Sequence, residues 1–208
     1  MTPDNTGYPP PEKPPQTGTA QVFQKLNEKV ILLSCFDGIG SAAVALRDLL
    51  DSISLHITWE VDEECLKVQA ARHTDAMMRG DFLKDDPLEV AKIIRQHDPQ
   101  GTCLVLFASA PPYPDFSRIK ENPPGSDGAE GQKFTAYCAF INQVEMNIPH
   151  KRVGHLTENV VMQKSEADLF SSRLDCEAVV ADAQDFGLIN RPRLELSAVD
   201  TEGSSANI

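Results

Sequence analysis

The pattern of apolar and polar positions divides the chain into short buried runs and longer amphipathic stretches. Residues 30–36 (Val30-Ile31-Leu32-Leu33-Ser34-Cys35-Phe36) are almost wholly apolar, as expected of a strand covered on both faces. Asp37-Gly38-Ile39-Gly40-Ser41 is a glycine turn, and residues 42–50 read as a helix with Val44, Leu46, Leu49 and Leu50 as core contacts. A second strand is predicted over 55–61, with Glu60 at its end, then a helix over 63–72, a turn at Gly80-Asp81-Phe82 and a helix over 87–97. Further strands are predicted over 102–108, 154–160 and 177–183. Strands alternating with helices predict an α/β fold, a doubly wound and mostly parallel sheet with helices on both faces.

Two regions do not fit this alternation. Six prolines fall in the first fifteen residues, so residues 1–20 read as a disordered tail that buries too little apolar surface to offset its ordering entropy. Residues 110–131 are rich in proline and glycine and read as a long loop after a strand's carboxyl end, where ligands bind in such sheets. Residues 20–28 could form one short helix. The expected domain spans 21–197, with a frayed end over 198–208.

Composition narrows the function. Of 208 residues, 41% are hydrophobic, enough for one ordinary core. Acidic side chains outnumber basic ones by 31 to 19, a net charge of -12, which argues against a non-specific nucleic-acid coat but leaves room for a local basic groove. No run approaches about 18 apolar residues, so no membrane-spanning helix is expected, and the polar N-terminus lacks the apolar stretch of a signal peptide. The five cysteines are scattered, with no C-x-x-C pair. They predict no disulfide scaffold and no metal cluster, and point to a reducing nuclear or cytoplasmic compartment.

Gly38-Ile39-Gly40-Ser41-Ala42-Ala43 satisfies the template G-x-G-x-x-G/A between a predicted strand and helix. Glycines let the backbone approach a ligand, and Glu60, twenty-two residues after Gly38, could accept hydrogen bonds from ribose hydroxyls. Asp81 could accept an adenine amino group, with Phe82 against the ring. The plainer reading is a structural turn, a surface glutamate and a turn aspartate. The fingerprint alone does not separate a nicotinamide cofactor from S-adenosyl-L-methionine.

The long loop does separate them. Ser109-Ala110-Pro111-Pro112-Tyr113-Pro114-Asp115-Phe116-Ser117-Arg118 resembles the catalytic loop of cytosine-C5 DNA methyltransferases, and other signatures of that family stand in order. Phe36-Asp37-Gly38-Ile39-Gly40 is similar to its first motif, and Glu60 and Asp81 to its second and third. Gly131-Gln132-Lys133-Phe134 looks like the motif opening the next helix, Thr157-Glu158-Asn159-Val160 carries its Glu-Asn-Val, and residues 186–193 resemble its arginine motif. The resemblance covers residues 29–196. It implies the Rossmann-like fold of S-adenosyl-L-methionine-dependent methyltransferases. It implies cofactor contacts from Phe36, Asp37, Gly38, Ile39, Gly40, Glu60, Val61, Asp81 and Phe82. Glu158 would engage the ring nitrogen and amine of a flipped cytosine, and Arg193 its carbonyl oxygen. Arg118, Lys120 and Arg191 would reach DNA. Plainer readings stand beside these roles: Glu158 ending a strand, Arg191 and Arg193 paired with carboxylates such as Glu195, and Arg118 and Lys120 on a solvated loop.

The pattern breaks at the nucleophile. The family uses the cysteine of a Pro-Cys pair, and here Tyr113 follows Pro112. A phenol has a pKa of about 10 and is a poor nucleophile at neutral pH. Tyr113 is also bulky, and is expected to fill the pocket meant for the base. Cys103 and Cys138 read as core residues. The family's target-recognition region and last helix have no counterpart after the arginine motif, so an incomplete domain is expected, as is the loss of the motif's glutamine. Three readings follow: a catalytically impaired methyltransferase-like domain that keeps its cofactor site; a regulatory or scaffold relative binding DNA or an active methyltransferase partner; and an active enzyme with another nucleophile, which the missing thiolate disfavours.

Overall fold

The computed structural model describes residues 25–117, 122–185 and 191–200. They form a seven-stranded sheet: β1 (Leu26–Cys35), β2 (Leu50–Trp59), β3 (Ala76–Met78), β4 (Leu104–Ser109), β5 (Val153–Val160), β6 (Ala178–Asp182) and β7 (Pro192–Asp200). Five helices connect them: α1 (Ser41–Leu49), α2 (Glu63–Arg72), α3 (Pro87–His97), α4 (Ala129–Glu145) and α5 (Lys164–Leu174). The strand order is β3-β2-β1-β4-β5-β7-β6, parallel except for β7, which runs antiparallel between β5 and β6. The α/β class and the mostly parallel doubly wound sheet expected from the alternation are therefore what the chain forms.

The two faces are unequal. Ile31, Leu33 and Cys35 of β1, with Ile57, Trp59, Val105 and Phe107, join the inner faces of α3, α4 and α5 in the main core. The opposite face has a small cluster of Leu32, Ala43 and Ala108 beneath α1. On that face α2 is held by a polar residue, Gln69, which bonds the glycine turn rather than packing on aliphatic side chains. Leu156 stays 40% exposed although β5 has a strand on either side.

Local chemistry sets the helix starts. Asp62 caps α2 by accepting the N–H groups of Glu64 and Cys65, and Asp86 caps α3 by accepting that of Leu88, with Pro87 at the first helical position.

Several boundaries differ from the sequence reading. The first strand starts at Leu26, so residues 26–28 are strand rather than the end of a short helix; Arg152 grips Glu28 there through two bonds of 2.9 Å. The helix over 42–50 ends at Leu49, and Leu50 opens β2 as a buried residue. Val44 and Leu49 are 45% and 52% exposed, not core, because Ala43 marks the face of α1 that meets the sheet. Cys103 is buried one residue before β4, not within it. The sequence reading assigned no strand to 192–200, yet its pairing with β5 reaches Asp200. The tail over 1–20, the residues 186–190 of the arginine motif, and Arg118 and Lys120 lie outside the described residues.

Candidate functional site

In this topology the chain leaves β1 toward β2 on one side and β4 on the other, so a crevice opens at the carboxyl ends of these strands. The glycine turn lies there. Phe36, Gly38 and Gly40 have φ of 54°, 57° and 84°. A Cβ on Gly40 would lie 2.3 Å from Nε2 of His73, so only glycine fits that position.

Glu60, one residue past the end of β2, Gln69 of α2 and His73 just after α2 lock the turn. Glu60 Oε2 accepts the Gly38 N–H at 2.7 Å, while Oε1 accepts those of Val61 and Asp62 at 2.7 and 2.9 Å. Gln69 donates to the Gly38 carbonyl at 2.7 Å. His73 Nε2 lies 3.3 Å from the Ile39 carbonyl, and its Nδ1 lies 2.6 Å from Arg47 Nη1. A carbonyl only accepts and a guanidinium only donates, so Nε2 of His73 donates to the Ile39 carbonyl and Nδ1 accepts from Arg47. Asp37 is buried behind the turn and accepts the Thr58 hydroxyl at 2.8 Å.

Burial pushes the Asp37 carboxyl up to about 6, against the pull of hydrogen bonds from Thr58 and Ser34. Burial pushes His56 the other way, down to about 4, aided by the positive charge of Arg47. The Asp37 contribution to stability is whole below its ordinary 3.8 and is lost as pH rises through about 6. The His56 contribution is whole above its ordinary 6.5 and is lost as pH falls through about 4. Between these limits the two changes oppose each other. Asp37→Asn is expected to remove the first and leave the second. Urea unfolding should find the variant more stable than the native chain near neutral pH, by on the order of 2 kcal/mol, with that advantage vanishing toward about pH 4. A constant difference across the range would contradict a buried, proton-holding Asp37.

Two adjoining clefts flank the turn, with Phe36 and Ala110 in the wall of both. The first, about 350 Å³, is lined by Glu60, Val61, Asp81, Phe82, Pro112 and Lys133 among others. Asp81 caps the 3-10 turn Phe82–Lys84 by accepting the Leu83 N–H at 3.1 Å and faces Lys84 at 3.1 Å. Phe82 is mostly core: it is 6% exposed and meets Phe36 edge-on, 5.0 Å between centroids. Lys133 was not singled out as a site residue, although it sits in the quoted Gly131-Gln132-Lys133-Phe134 signature; it pairs with Glu130 at 2.7 Å.

The second cleft, about 610 Å³, runs from Asp37, Gly38 and Ile39 to Glu158, Arg191, Arg193 and Glu195. The antiparallel pairing of β5 with β7 assembles that far wall. Arg193 Nε lies 2.6 Å from Glu158 Oε1, and Glu158 stands directly opposite Glu195 in the ladder. Arg193 thus pairs with a carboxylate, as in the plainer reading, and that carboxylate is Glu158. Next to Glu158, the 2%-exposed Asn159 donates to the Pro111 carbonyl at 3.2 Å and so ties the long loop to β5.

Tyr113 does not fill a base pocket. It is 55% exposed and lines neither cleft. The loop turns sharply here, the Tyr113 carbonyl accepting the N–H groups of Phe116 and Ser117. The residues after it take the buried places. Asp115 accepts the Glu130 N–H at 2.8 Å at the start of α4, and Phe116 packs edge-on against Phe170 at 5.1 Å. The phenol is left at the tip.

No cysteine replaces it as a thiolate. Cys35 and Cys65 line the second cleft, but burial holds both thiols above their ordinary value, Cys35 strongly. Cys103 is raised as well, and Cys138 and Cys176 are pushed up to about 12 and about 11. A further cleft of about 450 Å³ lies between α4 and α5 near the start of β5; Cys138 lines it, and it shares no residue with the other two clefts. Among the described residues no group of three His, Cys, Asp or Glu could hold a metal ion, and no helix is long and apolar enough to cross a membrane.

No protein-family model matches the sequence, and no curated protein matches it. Solved structures do. A prophage-encoded E. coli protein described as a DNA modification methyltransferase aligns over 84% of this chain and 47% of its own, with a TM-score of 0.53 and 17% identity. The Dnmt2 methyltransferase of S. pombe aligns over 85% of this chain and 51% of its own, at 0.52 and 16%. A DNMT2 variant of Spodoptera frugiperda aligns over 86% and 51%, at 0.56 and 15%. The chain spans about half the length of these structures, and the likeness is one of fold: the Rossmann-like fold of methyltransferases.

Proposed function

We propose that this chain is a cytosine-C5 methyltransferase-like domain that binds S-adenosyl-L-methionine in the first cleft, presents a cytosine pocket in the second, and does not transfer the methyl group. The observation that carries this reading is the meeting of the two clefts at Phe36 and Ala110, with Glu60 and Asp81 in the first and the glycine turn, Glu158 and Arg193 in the second.

The first cleft suits the cofactor. A carboxylate oxygen has two lone-pair directions. Oε1 of Glu60 already accepts two backbone N–H groups and Oε2 accepts one, leaving Oε2 a direction for a ribose hydroxyl. Gly38, whose N–H Glu60 holds, lies in the wall of the adjoining cleft, and Asp81 with Phe82 offers an acceptor and a ring edge to adenine. When bound, the cofactor supplies an electrophilic methyl group. In the second cleft Glu158, oriented by Arg193, offers a carboxyl to the ring nitrogen and amine of cytosine.

Among the described residues the cleft offers no activated nucleophile for C6 of the base. The position after Pro112 holds an exposed phenol, and the two cleft cysteines are held protonated. Loss of a covalent catalyst forfeits many powers of ten in rate, whatever binding remains. Incubation with labelled cofactor and a cytosine-containing duplex is expected to leave the DNA unlabelled, and a duplex bearing 5-fluorocytosine should form no adduct. A stable adduct that disappears in Tyr113→Phe would overturn the inactive reading.

The exposure of Leu156 on an interior strand, in the wall of the second cleft, favours a second reading, in which that cleft serves to dock DNA or an active methyltransferase. Co-sedimentation with such an enzyme, lost in Leu156→Asp, would support it.

A further inference from the structure

We infer that Glu195 is a positioning residue of the second cleft: facing Glu158 across the β5–β7 ladder, it forms with it a carboxyl pair that shares one proton beside the single guanidinium of Arg193. The register sets Glu158 and Glu195 directly opposite each other, which brings their Cβ atoms to about 5 Å. Both line the same cleft, and Arg193 is committed to Glu158 at 2.6 Å. If both carboxyls ionised, two negative charges would share one paired cation in a partly desolvated wall.

The other groups facing the pair do not relieve this. Arg191, one residue before β7, is exposed. Across the cleft Asp37 is a further acid, and the thiols of Cys35 and Cys65 are neutral. On its β6 side Glu195 faces Val179, which is apolar. Burial, then the Glu158 charge, pushes the Glu195 carboxyl up to about 7, against the pull of Arg193. Glu195 therefore holds a proton up to near neutral pH, beside the carboxyl that Arg193 pairs with.

The pair sets a donor and an acceptor side by side, the complement of a ring nitrogen next to an exocyclic amine. This consequence rests on the reading of the second cleft as a base pocket; the shared proton does not.

The test is a pH titration of the full chain carrying ¹³C-labelled glutamate carboxyls, followed by NMR. One carboxyl should titrate near neutrality, and the Glu158 and Glu195 signals should each show two steps at common midpoints, as coupled sites do. The near-neutral step should vanish in Glu195→Gln. In Glu158→Gln the Glu195 midpoint should fall by about one unit or more toward the ordinary carboxylate range. Single-step curves at ordinary values in the native chain would overturn the proposal without recourse to either variant, as would a Glu195 midpoint indifferent to Glu158→Gln. Adding 2′-deoxycytidine examines the base pocket separately. A shift of the near-neutral midpoint supports both readings, and an unmoved midpoint in an intact pair sinks the base pocket while the shared proton stands.

Discussion

Phe170→Ala is expected to lower the unfolding free energy by ~3–5 kcal/mol, read from urea denaturation at neutral pH. Phe170 of α5 is fully buried, and its ring lies parallel to that of Phe134 of α4 with centroids 3.5 Å apart. The edge of Phe116 from the long loop meets the same ring. One side chain thus joins two helices and the loop that carries Tyr113. Removing it leaves a cavity walled by large rings that cannot all move inward. Domains of this kind are stable by only ~5–15 kcal/mol, so a loss of that size is a large fraction of the total. A change below about 1 kcal/mol would mean that the loop and helices repack around the gap, and that the loop is not held from beneath.

Glu60→Ala is expected to weaken cofactor binding by roughly a hundredfold and to lower stability by about 1–2 kcal/mol. The two effects have one cause. Glu60 accepts three backbone N–H groups, one of them from Gly38, so the variant frees the turn as well as removing an acceptor from the first cleft. Glu60→Gln separates them. Its single carbonyl oxygen can keep some backbone contacts but not all three together with a ribose hydroxyl, so its binding loss should fall between those of the native chain and Glu60→Ala. Calorimetry for binding and urea unfolding for stability check the two parts. Full affinity in Glu60→Ala would remove Glu60 from the cofactor site.

Much of the frame was legible in the sequence because it rests on local signals. The apolar runs at 30–36 and 102–108 are what buried parallel strands require, and they became the central strands β1 and β4. The spacing from Gly38 to Glu60 is that of one strand-turn-helix-strand passage, and it ends in a 2.7 Å hydrogen bond.

What was not legible depends on long-range pairing. Val44 and Leu49 satisfy a helical period, but which face of α1 meets the sheet is fixed by Ala43 packing near Leu32 and Ala108. The alternation Arg193-Leu194-Glu195-Leu196-Ser197 is a strand signal, with Leu194 and Leu196 fully buried, yet its polar continuation resembles a frayed end until β5 and β6 flank it. The same pairing opposes Glu195 to Glu158, a juxtaposition that no spacing along the chain announces. Tyr113 was expected in a pocket because of its position in a motif. Asp115 and Phe116, two and three residues later, take the anchoring places and leave it on the surface.

The central claim is that the first cleft is a cofactor site, and calorimetric titration of the folded chain with S-adenosyl-L-methionine tests it most directly. The account predicts a weak, saturable, single-site heat that the demethylated product S-adenosylhomocysteine displaces. Absence of any saturable heat up to millimolar cofactor, from protein shown by circular dichroism to be folded, would contradict it.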